Sequence, residues 1–513
     1  MFLKKINLEL LALGIILAIG ALLRLVKLGV IPPGPYLDEV LYGLDARSIL
    51  LTGRDIYGHI FPLAFQSVGY VPPVYNYFLA PFVGLFGLSA WVIRLPTAIS
   101  GILTILFTYL VAKEVTGDKK NLIPHVTSLI VALSVWNIHF SRVAFIASFG
   151  MIFVLVGIYL FLKSRKFPLY LILSAVFFGV ATQVHHDGYK LISPFIFGVL
   201  VLFNWSFVKK LGRKIIIAVL VVWFVAIFVN WIAYHYYNAG FRAHALLGSG
   251  PAGVIQEYLK TYSPNFLFIN GDPDRMRNPA GGGELPLALL PFLLLGLFNF
   301  RLLNKQGRAA IIGWLLIAPV PSAIAGFGDH ALRNSLLIIP LAAISALGLE
   351  RLIAKCKKSS TWIIILVLSL AIYSYQTVSQ LGYYFGRYSR DYNILWGESL
   401  RQSVDFALKN AGGYDRVIFT DSYSSSLSFW AFKTEVSPSK LQNAILFPEI
   451  SNGVPVKRID KFYFVPSEEE KNRDWYLEMP KSSLIIDPYF YLEGDQFKTI
   501  MEGNNKLFKY TAI

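Results

Sequence analysis

The chain has 513 residues, 55% of them hydrophobic and 15% charged, with a mean hydropathy of +0.54. That composition excludes an ordinary soluble protein of this length and points to repeated membrane spans. The formal net charge of +16 comes without an aromatic-interleaved basic motif, so it is read as positive loops beside a membrane, not as a nucleic-acid surface. Cys356 is the only cysteine, which excludes an intrachain disulfide and a cysteine metal cluster.

Lys4 and Lys5 precede an apolar run from Ile6 to Val26. The run is long and lacks a small-residue cleavage site, so it reads as a retained first helix and not a signal peptide. Apolar runs predict eleven spanning helices, near 7–28, 94–112, 122–138, 143–162, 168–184, 191–207, 215–233, 286–300, 309–325, 334–350 and 361–380. Alternate loops hold clustered cations: Lys113, Lys119 and Lys120; Lys163, Arg165 and Lys166; Lys209, Lys210, Arg213 and Lys214; Arg301, Lys305 and Arg308; Arg351, Lys355, Lys357 and Lys358. The short loops of the other set carry mainly isolated cations, Arg142, Lys190 and Arg333. The positive-inside rule then predicts a multi-pass plasma-membrane protein with a cytoplasmic amino terminus and an extracytoplasmic tail.

Three outer segments are large. The first, about 29–91, has an amphipathic stretch from Glu39 to Leu51 and an apolar, Pro-interrupted one from Pro72 to Leu88. Counting residues 74–88 as a span would invert everything downstream and put the lysine clusters outside, so they are read as lying in or dipping into the interface. The second outer segment is about 234–285. In the tail, charge rises and apolar runs shorten. Arg416–Asp421 and Ser482–Asp487 read as buried strands, and Glu398–Lys409 as an amphipathic helix. Two domains are expected: a transmembrane domain over 1–380 and a small extracytoplasmic α/β domain over 381–513.

Several polar groups stand out on the predicted outer face. Asp38 and Glu39 follow the first helix; taken alone, such a pair is solvated or caps a helix starting near Val40. Arg142, Lys190, Arg242, Arg275, Arg277 and Arg333 are cations there, with His330 one turn before Arg333; each is a phosphate ligand or a snorkelling interfacial side chain. His185, His186, Asp187, Tyr189 and Lys190 form a polar cluster. Adjacent histidines point apart on a helix and lack the zinc-helix spacing, so a sugar or phosphate contact is preferred over a metal. Tyr75, Tyr77 and Tyr262 either stack on substrate or belong to the aromatic belt. The stretch from Gly271 to Gly283, with Asp272, reads as a flexible loop near the site.

Read together, Asp38 and Glu39; Pro72, Pro73, Tyr75 and Tyr77; Arg94, Pro96 and Gly101; Tyr262, Gly271 and Asp272; and Pro319, Pro321, His330 and Arg333 resemble the dolichyl-phosphate-mannose–protein mannosyltransferase-like superfamily over about residues 7–350. This group, glycosyltransferase family 39 and its relatives, belongs to the GT-C glycosyltransferases. The resemblance implies a GT-C-type helical bundle and an inverting transfer from a polyprenyl-phosphate-sugar donor to a hydroxyl of a protein, lipid or glycan. It implies Asp38 as general base, with Glu39 as a second catalytic residue that tunes Asp38 or holds the acceptor, donor phosphate on Arg333, His330, Arg142, Lys190 and Arg242, and substrate contacts from Tyr75, His139, His186, Asp187, Tyr189, Tyr262 and Asp272. It implies no required cofactor, although the oligosaccharyltransferase branch uses a divalent metal. Some relatives carry an acidic residue in the outer loop after the third helix, where this chain has Asn137, His139 and Arg142 and no carboxylate. A transporter or flippase of lipid-linked sugars would want charged groups deep in several helices or a twofold repeat, and neither is present. A non-catalytic envelope scaffold would keep its function in the tail alone.

Overall fold

Helices form where the apolar runs are long, and three of them run on through an internal proline, Pro81, Pro96 and Pro194. The structure, a computed structural model of the chain, describes residues 8–117, 122–185, 189–236, 250–356, 359–422, 424–451, 454–466, 482–492, 496–502 and 505–512. Its contacts divide it into two units. The first comprises Met1–Leu28, Val71–Tyr75 and Arg94–Tyr388; the second comprises Gly29–Tyr70, Asn76–Ile93 and Ser389–Ile513. The segment expected as the first outer loop thus belongs mostly with the tail.

Among the described residues, seven helices are long and apolar enough to cross a membrane, or up to eight if one bent pair counts as a span. The eleven expected spans all fall on helices, but three of them, near 168–184, 191–207 and 286–300, lie on shorter apolar helices of 10–17 residues. The cause is local. The helix Tyr170–Ala181 gives way to turns at Thr182, whose N–H bonds back to Gly179 at 3.2 Å. The 286–300 stretch alternates 3₁₀ and α segments. The third expected span is the bent pair.

We label the helices used below α1 (Leu8–Leu25), α2 (Leu37–Thr52), α3 (Val74–Phe86), α4 (Ala90–Thr116), α5 (Ile123–Leu133), α6 (Val135–Arg142) and α7 (Ile146–Lys163). The axes of α5 and α6 differ by 58°. Ser134 sits at the break in extended conformation and its side chain accepts the Asn137 N–H, a cap that starts α6 afresh. Residues 137–142, expected as loop, are therefore helix. At 13 residues, α3 is about 20 Å long, well short of a ~30 Å hydrocarbon layer.

The first unit is organised on one apolar core running from Ile16 through Trp136, Phe178 and Trp314 to Leu352. Its tightest crossing is between Leu290–Leu297 and Ile338–Cys356. There a Cβ on Gly296 would fall 1.9 Å from the Ile344 carbonyl oxygen, and one on Gly348 would fall 1.7 Å from that of Phe292. Small residues let the backbones meet, as is usual where lipid supplies no hydrophobic drive. Arg213–Tyr236 and Ser360–Asp391 bury little of their apolar length within the chain.

In the second unit, the tail forms a seven-stranded sheet: β1 (Arg416–Asp421), β2 (Glu449–Ser451), β3 (Val454–Ile459), β4 (Phe462–Pro466), β5 (Ser483–Asp487), β6 (Lys498–Glu502) and β7 (Asn505–Ala512), in the order β2-β3-β4-β1-β5-β7-β6. The central β1 is parallel to β4 and β5; the outer pairs are antiparallel. The expected strands at 416–421 and 482–487 are the two buried ones, β1 and β5. The expected helix is Glu398–Asn410, buried through Ser403, Val404 and Ala407.

The helix α2 packs on this tail. The Gln442 amide nitrogen donates to the Ser48 and Thr52 hydroxyls at 3.0 and 3.2 Å and to the Asp55 carbonyl at 2.9 Å. Arg47 donates to the Val436 carbonyl at 3.0 Å. Two carboxylates here are fully buried, Asp45 on α2 itself and Asp55 just past its end. Asp55 accepts the Tyr57 and His59 N–H groups at 2.9 and 2.8 Å and meets His59 Nδ1 at 2.9 Å. Asp45 accepts the Ile56 N–H at 3.1 Å and the Ser67 hydroxyl. Burial, reinforced by the Asp55 charge, pushes the Asp45 carboxyl up from 3.8 to about 8. A carboxyl raised in the folded state binds its proton more tightly there than when unfolded. Its contribution to stability is full below pH 3.8 and is lost as pH rises through about 8. Thermal unfolding followed between pH 5 and 8.5 is expected to show the second unit weakening with pH, and Asp45→Asn to flatten that slope.

Candidate functional site

Three prolines, Pro32, Pro33 and Pro35, hold the chain out of helix until Tyr36, so α2 begins at Leu37 with Asp38 and Glu39 in its first turn. Negative side chains there meet the positive end of the helix dipole. Glu39 is fully buried, and its carboxylate accepts the Tyr36 N–H at 3.2 Å, closing the first turn. Asp38 is half-buried. The adjacent pair thus divides: Glu39 is a helix-start residue, and Asp38 is the more accessible carboxylate.

The other site residues lie in the first unit. Four pieces converge there: α6, the loop 270–284, the segment 327–334, and the turn Tyr384–Tyr388 that follows the last long helix. His139 on α6 is fully buried. Its Nε2 donates to the Met276 carbonyl at 2.8 Å, and its Nδ1 lies 3.2 Å from the Tyr384 hydroxyl, which donates to it. Its ring meets those of Tyr384 and Tyr388 edge-on, at 5.6 and 5.9 Å. The Tyr388 hydroxyl donates to the Arg275 carbonyl at 2.9 Å, and Trp136 Nε1 donates to the Ala331 carbonyl at 3.0 Å.

The loop 270–284 is braced, contrary to the flexible loop expected. Asp272 is fully buried and accepts four donors: Arg277 Nε at 2.7 Å, Arg277 Nη2 at 3.1 Å, the Asp274 N–H at 2.9 Å and the Ala331 N–H at 2.8 Å. The last bond ties the loop to the segment carrying His330 and Arg333. Asn278 Nδ2 bridges the carbonyls of Asn270 and Gly282 at 3.0 and 2.8 Å. The buried Glu284 carboxylate accepts the Asp272 N–H at 2.9 Å. Burial raises the Glu284 carboxyl well above its ordinary value, a shift that the Asp272 N–H opposes and the Asp272 charge reinforces. Gly281 is at φ +69°, and a Cβ there would fall 1.7 Å from Arg275 Nη1, so the glycine makes room for that guanidinium.

His330 and Arg333 are half-buried on one turn: the Arg333 N–H faces His330 Nδ1 at 3.4 Å, and the Arg333 guanidinium lies 4.8 Å from the centre of the Phe327 ring. With Arg275, they give this braced surface the chemistry to receive an anion. Arg142 is placed differently. Fully buried, it donates to the carbonyls of Leu23, Val26 and Lys27 at 2.8, 2.7 and 3.2 Å, ending α1. Arg94 donates to the Leu28 carbonyl at 3.1 Å, and Arg24 to those of Gly20, Val131 and Ala132. These buried guanidiniums serve backbone carbonyls, most of them at or just past helix ends.

Several aromatic candidates are packing residues. Tyr75 is fully buried edge-on to Phe149 at 5.2 Å. Tyr189 is buried, with its hydroxyl on the Ala147 carbonyl at 2.6 Å. The half-buried Tyr262 donates to the Leu315 carbonyl. Lys190 is half-buried in the first turn of Tyr189–Phe203. Arg242, His186 and Asp187 lie outside the described residues. Sequence reasoning missed Tyr384, Tyr388 and Glu284. The first two had a signal, an i,i+4 tyrosine pair just past the last span.

Residues 70–234 match the family model described as dolichyl-phosphate-mannose-protein mannosyltransferase. No curated protein matches the chain. Among solved structures, ArnT from Cupriavidus metallidurans in the apo state is similar at 11% identity over 98% of both chains, with a TM-score of 0.58. The same protein bound to undecaprenyl phosphate is similar at 12% identity over 99% of this chain and 98% of that one, with a TM-score of 0.54. An Archaeoglobus fulgidus oligosaccharyltransferase tethered with an acceptor peptide is more distant, at 14% identity over 83% of this chain and 63% of that one, with a TM-score of 0.48. The chain is a multi-span membrane protein with the ArnT-like GT-C fold, carrying a small sheet domain at its carboxyl end.

Proposed function

We propose that the protein is a glycosyltransferase that moves a sugar from a polyprenyl-phosphate donor to an acceptor hydroxyl on the extracytoplasmic side of the plasma membrane. The observation that carries this reading is the ArnT-like fold along nearly the whole chain, on which residues 70–234 also match the mannosyltransferase model. ArnT has been solved with undecaprenyl phosphate bound. The half-buried Asp38, in the first turn of α2 and more accessible than the fully buried Glu39, suits the general base.

In the reaction, Asp38 takes the proton of the acceptor hydroxyl. The acceptor oxygen attacks the anomeric carbon from the face opposite the donor phosphate, and the bond from that carbon to the phosphate oxygen breaks. The sugar inverts, and the lipid leaves as a phosphate monoester that needs no protonation if cations hold its charge. Within the first unit, Arg333 and Arg275, with His330 beside them, have the chemistry to hold such an anion. A single carboxylate with a cationic cradle suffices for this chemistry, and no metal is required.

The test is transfer by purified protein in detergent, where transport has no meaning. Polyprenyl-phosphate donors with labelled sugars, offered with hydroxyl acceptors, are expected to lose their label to acceptor with one polyprenyl phosphate released per transfer. Binding of the donor with no sugar released from any of them would overturn the reading in favour of a carrier.

A further inference from the structure

Four of the cation-rich loops meet at one end of the first unit. There a cavity of about 150 Å³ is lined by Glu114, Lys163, Arg165, Lys166, Asn204, Asn304 and Gln306, over an apolar floor of Phe161 and Leu162. A single water needs only ~10–15 Å³ by a comparable measure. The space suits a phosphate group with water around it. Three cations against one carboxylate leave the lining net positive.

The walls are built. Lys163 pairs with Glu114. Asn304 caps Lys305–Ile317 through the Gly307 N–H at 2.7 Å, and its Nδ2 donates to the Glu114 carbonyl at 2.7 Å. Arg165 donates to Asn204 Oδ1 at 3.3 Å and lies over the Phe207 ring at 5.8 Å. The Gln306 amide, with its oxygen toward Arg165, is 2.9 Å from both Nη atoms. Amides and a ring hold this guanidinium, and no carboxylate among the described residues neutralises it. Lys166 is exposed and has no ion-pair partner among the described residues.

The flank is apolar and bare. Phe167 follows Lys166 in the chain, and Leu202, Phe203 and Trp205 border Asn204; all four are more than half exposed. A phosphate ion in water would gain nothing from such a border. A phosphate carrying acyl chains would gain on both sides, with its charge in the cup and its chains along the aromatic rim.

We propose that this cavity is a binding site for the headgroup of an anionic phospholipid, separate from the proposed donor site and independent of it. Each basic side chain near an anionic headgroup contributes roughly fivefold to affinity. In nanodiscs of phosphatidylcholine doped with phosphatidylglycerol, the full-length protein is expected to melt at a higher temperature than in phosphatidylcholine alone and to retain phosphatidylglycerol in native mass spectrometry. Lys166→Ala, at an exposed position that cannot disturb the fold, should weaken retention about fivefold, and Arg165→Ala with Lys166→Ala about thirtyfold. Lys209→Ala with Lys210→Ala, two basic side chains of a neighbouring loop that do not themselves line the cavity, should leave it unchanged. Equal losses in the two double variants would overturn the proposal in favour of diffuse loop charge. Stabilisation by inorganic phosphate as strong as by the lipid would overturn the lipid assignment, as would no preference for phosphatidylglycerol in the wild-type protein.

Discussion

Asp38→Asn should lower sugar transfer by about 10²–10⁴-fold while leaving the melting temperature close to wild type. The amide has nearly the shape of the carboxylate but cannot take a proton from the acceptor. The bond that closes the first turn of α2 belongs to Glu39, which accepts the Tyr36 N–H, and the amide at position 38 keeps the shape of the side chain it replaces. Glu39→Ala should show the reverse pattern first: a loss of about 1 kcal/mol in stability from the missing helix-start bond. Turnover with a labelled polyprenyl-phosphate sugar, paired with fluorescence-detected unfolding, separates the two. An Asp38→Asn protein that transfers at the wild-type rate would remove the base from the mechanism.

Asp272→Ala should have the largest effect on stability. The buried carboxylate collects Arg277, the Asp274 N–H and the Ala331 N–H. Removing it leaves two backbone donors unmet and a guanidinium short of its main counter-charge. Breaking such a buried pair costs about 3–5 kcal/mol. Arg277 is 28% exposed and keeps Asp274 at 2.7 Å, which places the expected loss near the bottom of that range, about 3 kcal/mol. Because the Ala331 bond holds the His330–Arg333 segment to the loop, donor affinity should fall together with the melting temperature. Thermal unfolding in detergent and a donor titration check the two readouts.

What could be read in advance was whatever depends on neighbours in sequence. Apolar runs located the helices, and short apolar bursts marked β1 and β5, because burial on both faces leaves a run with few polar interruptions. The break between α5 and α6 carried its own local sign, Ser134 three residues before Asn137, but a long apolar window averages over it. The roles of the arginines were out of reach. An isolated cation on an outer loop looks the same whether it awaits a phosphate or, like Arg142, serves the carbonyls of a helix more than a hundred residues earlier. The same holds for the loop 270–284, whose glycines suggested slack. The bond that removes it, from Ala331 to Asp272, spans 59 residues. From the residues alone Asp38 and Glu39 are two adjacent carboxylates; burial and the Tyr36 bond show Glu39 to be the helix-start residue.

The docking of α2 on the tail bears on how the molecule is made. Ser48 and its partner Gln442 are 394 residues apart. A ribosome releasing the chain from its amino end delivers the helix of Asp38 long before the surface it rests on exists. The proposed base is therefore seated only after residue 442 has been made. Nascent chains shorter than this would fill a bilayer with helices yet leave the helix of Asp38 without the surface it rests on.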